Sequence, residues 1–440
     1  MSELPEGWAE APLGDIGKWA SGGTPSRQKP EYFGGPIPWV KSGDLPDGPI
    51  VHVSESLTSA GVANSAAKLL PAGTIAIALY GATIGRLGIL TFPAATNQAC
   101  ACLDVSHGLI DRRFAFYFLL SQRKALVEMG QGGAQPNISQ EILRQHPILV
   151  PPLAEQRRIV EKVEALLAKV EACRQRLHRL PKLLTRFRQS VLAAAFTGDW
   201  PSTTLDQLFD IRTGGTPSRK ESRYFANGTI PWVKTSEVQN GDITATEEHI
   251  TEEAIASSNA KPFPPNTLLV AMYGEGRTRG QVGWLRIRAA TNQACAALIN
   301  EKMEDGTREF VYLFLLGQYQ RLRAESFGGN QPNLNLGIIK SWEIPLPPLA
   351  EQHEIVRRVR ELFALADRLE ARLTQARRQV DSLTQAILAK AFRGELVPTE
   401  AALSRESGHP YESATDLLAR LQSTAPAPAS PKPRRTRPAK

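Results

Sequence analysis

The sequence predicts an α+β protein: two tandem mixed α/β domains joined by two long antiparallel helices that form a coiled-coil spacer, with a pseudo-twofold relation between the halves. Three observations lead there. The hexapeptide GGTPSR stands at residues 22–27 and again at 214–219. The echo then runs on in the same order: IPWVK at 37–41 and 230–234, YG at 80–81 and 273–274, ATNQACA at 95–101 and 290–296, QPN at 135–137 and 331–333, PPLAEQ at 151–156 and 347–352. The offset between copies widens slowly along the chain, as expected of one duplicated unit with small loop insertions, and the period is far too long for a solenoid. Finally, each copy closes on a heptad seam.

Each copy has two parts. The first is rich in Gly, Pro and short apolar runs: TIAIALYG (74–81) and TLLVAMYG (267–274) read as buried strands ending at a glycine turn, with RLGILTF (86–92) and ACACLDV (99–105) as further strands. RRFAFYFLLSQRKALVEMG (112–130) and REFVYLFLLGQYQRLRAES (308–326) read as amphipathic helices. In the second part apolar residues step alternately by four and three from Ile159 through Val163, Leu166, Val170, Cys173, Leu177, Leu180, Leu184, Phe187 and Val191 to Ala194. The same phase returns from Ile355 through Val359, Leu362, Ala366, Leu369, Leu373, Ala376, Val380, Leu383 and Ile387, and departs only at Lys390. Each helix runs for about 44 residues, roughly 66 Å at 1.5 Å per residue.

An apolar stripe of that length requires a cover, and the simplest cover is the other helix, returning antiparallel. The expected arrangement is a dumbbell, with Cys173 packed in the seam and a kink at Pro181 in the first helix only, since Arg377 stands at that place in the second. The predicted boundaries are 1–152 for the first domain, 153–197 for the first helix, 198–348 for the second domain, 349–394 for the second helix, 395–422 for a C-terminal helical segment and 423–440 for a disordered basic tail.

Composition sets the class. The 440 residues are 42% hydrophobic and 22% charged, ordinary for a soluble globular chain. No run approaches the roughly 18 apolar residues of a membrane span, and MSELPEGWAE does not read as a signal peptide; the expected location is cytoplasmic. The formal charge is +8, but Lys432, Arg434, Arg435, Arg437 and Lys440 concentrate much of it in the last ten residues, so charge alone does not establish nucleic-acid binding. Cys100 and Cys102, two apart without a second pair, and the isolated Cys295 read as buried small apolar residues rather than zinc ligands. Walker A, HExxH and NPPY-type motifs are missing and the seven histidines do not cluster, which points to a non-catalytic chain with no cofactor of its own.

Two similar domains on a spacer of fixed length suggest a ruler that reads two places on one extended target, and double-stranded DNA suits such a reader. GGTPSR…IPWVK, ATNQ and the doubled PPLAEQ heading a helix that ends LAAAFTG or LAKAFRG resemble the specificity subunit of type I restriction–modification systems, over residues 1 to about 422. The resemblance implies two target recognition domains and a bipartite, asymmetric DNA site. It implies assembly with two methyltransferase (M) subunits that make N6-methyladenine from S-adenosylmethionine. It also implies restriction/translocase (R) subunits using ATP and Mg. Two other readings stand beside it: a coiled-coil adaptor that binds proteins, and a stand-alone DNA-binding regulator.

Positions the copies share should hold scaffold; positions where they differ should read sequence. The GGTPSR glycines read as a turn, and Arg27 and Arg219 as either phosphate contacts or solvated charges. Lys41 and Lys234, ending IPWVK, read as phosphate contacts, because a contact common to both copies cannot discriminate sequences. Trp39 and Trp232 read as core. Asn97–Gln98 and Asn292–Gln293 read as buried hydrogen-bonded pairs. The discriminating stretch follows YG: GATIGRLG (81–88) against GEGRTRGQVG (274–283) sets Arg86 opposite Gln281 and Ile84 opposite Arg279, with Arg277 in an insertion. Arginine pairs with guanine and glutamine with adenine in the major groove. The acidic segments 42–56 and 235–249 read as loops facing away from phosphate.

Overall fold

The computed structural model describes residues 4–105, 108–130, 137–274, 278–325 and 334–424. The first domain opens with β1 (Ala9–Pro12), β2 (Lys18–Ser21), β3 (Phe33–Val40), β4 (Gly48–Ile50) and β5 (Glu55–Leu57), then α1 (Ser59–Ala63). It continues through β6 (Ile75–Ala78), β7 (Leu87–Leu90), β8 (Ala95–Thr96), β9 (Cys100–Asp104), α2 (Arg112–Met129), α3 (Gln140–Gln145) and β10 (Pro147–Val150). The long helix α4 (Leu153–Ala195) follows. A five-stranded sheet runs β2-β9-β6-β7-β4, a three-stranded sheet β5-β3-β8, and β1 pairs with β10. The β4·β7 and β3·β8 pairs are parallel and the rest antiparallel.

The second domain repeats this plan. Its elements are β11 (Ser202–Thr204), α5 (Leu205–Leu208), β12 (Asp210–Thr213), β13 (Ile230–Val233), β14 (Gly241–Ile243), β15 (Glu248–Ile250) and α6 (Glu252–Ala256). They continue with β16 (Leu268–Ala271), β17 (Val282–Leu285), β18 (Ala290–Thr291), β19 (Cys295–Ile299), α7 (Asp305–Gly317), α8 (Tyr319–Glu325), α9 (Leu336–Lys340) and β20 (Glu343–Pro345). The sheet orders are β12-β19-β16-β17-β14, β15-β13-β18 and β11-β20, the same as in the first domain. The second long helix, α10 (Leu349–Ala391), is followed by α11 (Glu400–Ser407) and α12 (Ala414–Thr424). The mixed α/β domains and paired long helices that the sequence predicts are present.

The central strands are apolar on both sides because both faces are covered. Ile75 and Ile77 of β6, with Ala101 and Leu103 of β9, face a core shared with Phe114, Phe118 and Leu119 of α2. The alternate residues Ala76, Ala78, Cys100 and Cys102 face a second cluster with Val40, Leu45 and Ile50. The cysteines of β9 are thus small core residues, and burial pushes the Cys102 thiol up to about 11. Cys295 of β19 is buried likewise, its thiol pushed up to about 12.

Contacts divide the chain into one unit of residues 1–176 with 377–440 and another of residues 177–376. Each unit holds one domain, the start of the long helix that follows it and the end of the other long helix. In the first unit Ile159, Val160 and Val163 of α4 share a core with Leu388 and Ala391 of α10; in the second Val356 and Val359 of α10 share one with Leu192 of α4. The helices run antiparallel: Arg174 meets Asp381 at 3.3 Å, while Arg188, further along α4, meets Asp367 at 2.6 Å and Glu370 at 3.0 Å, earlier on α10. The phenylalanine after each helix seals the arrangement. Phe392 packs edge-on against Phe114 and Phe118 (5.2 and 5.4 Å), and Phe196 against Phe310 and Phe314 (5.2 and 5.4 Å).

Two expectations about the seam need correction. Cys173 is exposed, not packed. Ile159, Val163, Val170, Val359, Ala366 and Leu373 of the seam are buried, whereas Leu180, Leu362, Leu369 and Leu383 are each 39–44% exposed. Two helices cover only a narrow stripe on each other, and the apolar surface here is wider, with Leu183 and Leu365 flanking it. Pro181 lies inside α4, which continues on both sides of it.

Removing the aromatic seal tests this arrangement. Phe392→Ala is expected to cost about 3–5 kcal/mol of local stability. Hydrogen exchange should show lost protection in α2 (112–129) and retained protection in α7 (305–317); equal loss in both helices would refute the division into units.

Candidate nucleic-acid interface

In each domain the loops singled out by the repeat converge on one edge of the sheets. The GG of GGTPSR is needed for close approach. A Cβ on Gly22 would lie 1.9 Å from the Asn97 carbonyl oxygen, and one on Gly214 2.0 Å from that of Thr291. The loop is pinned by Gly23 N–H to Thr96 O (2.8 Å) and by the indoles of the buried Trp39 and Trp232, which donate to Gly23 O and Gly215 O at 3.1 Å each. Core tryptophan and surface loop are therefore one device.

That device presents the arginine. Arg27 lies over Phe33 (4.6 Å) and Trp39 (5.2 Å); Arg219 lies over Phe225 (4.6 Å) and Trp232 (4.8 Å). Both also grip a carboxylate: Arg27 donates to Glu55 at 2.6 and 3.3 Å, Arg219 to Glu248 at 2.5 and 3.3 Å. The lysine of IPWVK joins the same carboxylate. Lys41 Nζ is 2.6 Å from Glu55, and Lys234 Nζ is 3.2 Å from Glu248 and 2.6 Å from Glu247. Each domain thus carries an Arg–Glu–Lys triad; that of the first domain has one net positive charge, and Glu247 brings that of the second to zero. Hydrogen bonds from Arg27 and Lys41 hold the Glu55 carboxyl down at about 2. Glu248 is lowered in the same way, chiefly by Arg219.

The acidic segments therefore do not simply face away: Glu55 and Glu248 point at the cations. A signal was available, since Glu55 and Glu248 keep the same offset as IPWVK. The Asn–Gln pairs also split. Asn292 is half-buried, accepting from Thr235 Oγ1 (2.8 Å) and Ala294 N–H (3.2 Å). Asn97 is likewise half-buried and accepts from Cys100 Sγ (3.3 Å). Gln98 and Gln293 are exposed at the loop surface, so these pairs are only half scaffold.

The loop after YG lies beside them. Leu79 N–H donates to Ala99 O and Met272 N–H to Ala294 O, at 2.8 Å each. Backbone bonds register the two copies: Gly85 N to Ala78 O matches Gly280 N to Ala271 O, and Arg86 N to Thr83 O matches Gln281 N to Thr278 O. Arg86 thus occupies the place of Gln281, and Ile84 that of Arg279. Arg86 is exposed, Gln281 half-buried and Arg279 buried, 8% exposed; Arg277 lies outside the described residues. Tyr80 and Tyr273, each 37% exposed, stand at the mouth of this loop. Arg123 of α2 holds its base, donating from Nε to Gly85 O (2.8 Å) and pairing with Asp47. On sequence alone Arg123 is indistinguishable from any exposed helix arginine.

Among the described residues there is no group of three His, Cys, Asp or Glu placed to hold a metal ion, and no described helix is long and apolar enough to cross a membrane. A doubled loop edge with matched scaffold and unmatched tips is the form of a two-domain recognition protein. Residues 5–182 and 197–376 each match the family described as type I restriction modification DNA specificity domain, and the chain belongs to that family. It is 28% identical over 454 residues to the type I restriction enzyme EcoKI specificity subunit of Escherichia coli, and 27% identical over 449 residues to the StySPI specificity subunit of Salmonella potsdam; each alignment covers 96% of both chains. The fold is shared with the HsdS subunit from Thermoanaerobacter tengcongensis, with a TM-score of 0.60 at 22% identity over 90% of this chain and 98% of that one. It is shared too with a chain from a study of assembly and conformational transition of the type I R-M system, with a TM-score of 0.67 at 21% identity over 90% and 100%.

The triads give a pH signature. Glu55 sits below its ordinary value of 4.5 in the folded protein, so its stabilisation is complete above about 4.5 and is lost as pH falls towards about 2. The melting-temperature gap between the parent and Glu55→Gln should therefore be widest above pH 4.5 and close towards pH 2. A gap independent of pH would show that the triad carries no such linkage.

Proposed function

We propose that each domain reads one half of a bipartite, asymmetric double-stranded DNA site, while α4 and α10 set the spacing between the halves. The observation that carries this reading is the exchange of Arg86 for Gln281 on a loop whose closing backbone bonds, Gly85 N to Ala78 O and Arg86 N to Thr83 O, recur in the second domain. Arginine is suited to guanine O6 and N7, glutamine to adenine N6 and N7, so one scaffold presents two different readers. Arg27, Lys41, Arg219 and Lys234, common to both domains, suit phosphate positioning. Arg277 and Arg279 belong to the tip that differs.

On this reading the chain supplies the address and its partners supply the chemistry. Two methyltransferase subunits dock on the paired helices, whose exposed Leu180, Leu183, Leu362 and Leu365 offer apolar surface for them. S-adenosylmethionine is used there, ATP and Mg in restriction subunits, and the complex works in the cytoplasm. A protein-binding adaptor would have no use for an arginine-to-glutamine exchange on a loop repeated in both domains, which favours the DNA reading over that alternative.

Sequencing the host genome for N6-methyladenine, with and without the gene, tests the proposal. One bipartite motif should lose methylation on deletion, and Arg86→Gln should alter the base preference at a single position of one half-site, a discrimination of about 1–3 kcal/mol. Retention of every methylated motif in a host expressing the partner subunits would sink it.

A further inference from the structure

The two units are copies, so a place filled in one and open in the other is informative. In the first unit Glu155, in the opening turn of α4, is fully buried. Trp8 Nε1 donates to its Oε1 at 2.9 Å, and the backbone N–H of Glu400 donates to its Oε2 at 2.8 Å. The second donor is the first amide of α11, so Glu155 accepts from a helix N-terminus carried in by residues 395–400. One turn on, Arg158 pairs with the Glu400 carboxylate (2.5 Å) and donates to Pro398 O (3.3 Å). Leu396 and Val397 pack on the adjoining core, Thr399 caps the helix, accepting from Ala402 N–H at 3.2 Å, and Ala401 is 2% exposed.

The second unit keeps the carboxylate and the tryptophan of this receiving face, whereas Glu354 stands where Arg158 stands in the first copy. PPLAEQ places Glu351 where Glu155 stands in the first copy. Trp200 lies against Gly198 as Trp8 lies against Gly394. What it lacks is the cover, because the chain passes from α4 directly into the second domain. Glu351 is exposed and Ile355 half-exposed, whereas Ile159 at the matching place is 1% exposed. Phe187, Val191, Trp200, Glu351, Ile355 and Leu362 line an open groove of about 560 Å³.

We propose that this groove on the second unit receives a segment of a partner protein built like residues 396–401: one or two aliphatic side chains followed by a capped helix N-terminus whose first amides bind Glu351. The filled copy supplies the template for the occupant. A second copy of this chain is a poor candidate, because its own segment would have to leave Glu155 and expose an equal surface there, with association entropy still to be met. The inference stands on packing and does not depend on what the loop edge binds.

The probe is a fluorescent peptide of residues 395–408 carrying Glu400→Gln, since Glu354 replaces Arg158 here, titrated into the full-length protein and followed by anisotropy. The tethered segment holds the first unit's site at high effective concentration, which leaves the second unit's groove open. Saturable binding at one site is expected, weakened at least tenfold by Glu351→Lys and by Leu362→Asp; both positions are exposed, so the fold is retained. No saturable binding up to about 1 mM, or binding that neither variant weakens, overturns the proposal.

Discussion

The architecture depends on where the two long helices end. Phe392 enters the core of the first domain beside Phe114 and Phe118, and Phe196 enters that of the second beside Phe310 and Phe314. Each core thereby contains the start of one long helix and the end of the other, and this alone commits α4 and α10 to opposite directions. Edge-to-face aromatic pairs add about 0.5–1.5 kcal/mol beyond burial, whereas exposed ion pairs such as Arg174–Asp381 contribute about 0–1 kcal/mol. The apolar ends dominate the energetics; the ion pairs along the middle tune the register.

At the loop edge, rigidity comes from below. A tryptophan bound to a glycine carbonyl fixes the loop, the loop lays an arginine over aromatic rings, and a glutamate ties that arginine to a lysine on the neighbouring strand. The cations are thereby positioned and partly neutralised at once. Rim charges of this sort influence association rate and salt dependence more than affinity. On the proposed reading, sequence discrimination is left to the loop after YG, where Arg86 and Gln281 occupy matched turns.

Duplication explains why the halves agree and also where they part. The second domain is threaded between the two helices, so the helix end before it leads straight into the domain. In the first unit the segment after α10 covers the matching place. Identical motifs, Glu155 and Glu351, therefore meet opposite fates, one buried under α11 and the other exposed. Position in the chain, rather than local sequence, makes the difference.

Much was legible from residues alone, because a repeated motif compares the protein with itself. The two domains, the buried Trp39 and Trp232, the heptad phase of both helices and the Arg86–Gln281 correspondence all follow from spacing and periodicity, which are local properties. The sequence could not say which carboxylate meets Arg27 and Lys41, since Glu55 arrives through the β3–β5 pairing. Nor could it show that Cys173 and several seam leucines remain exposed, because a heptad specifies a stripe and not the width of its cover. Partner choice between distant segments is set by packing in three dimensions, and only the tertiary structure decided it.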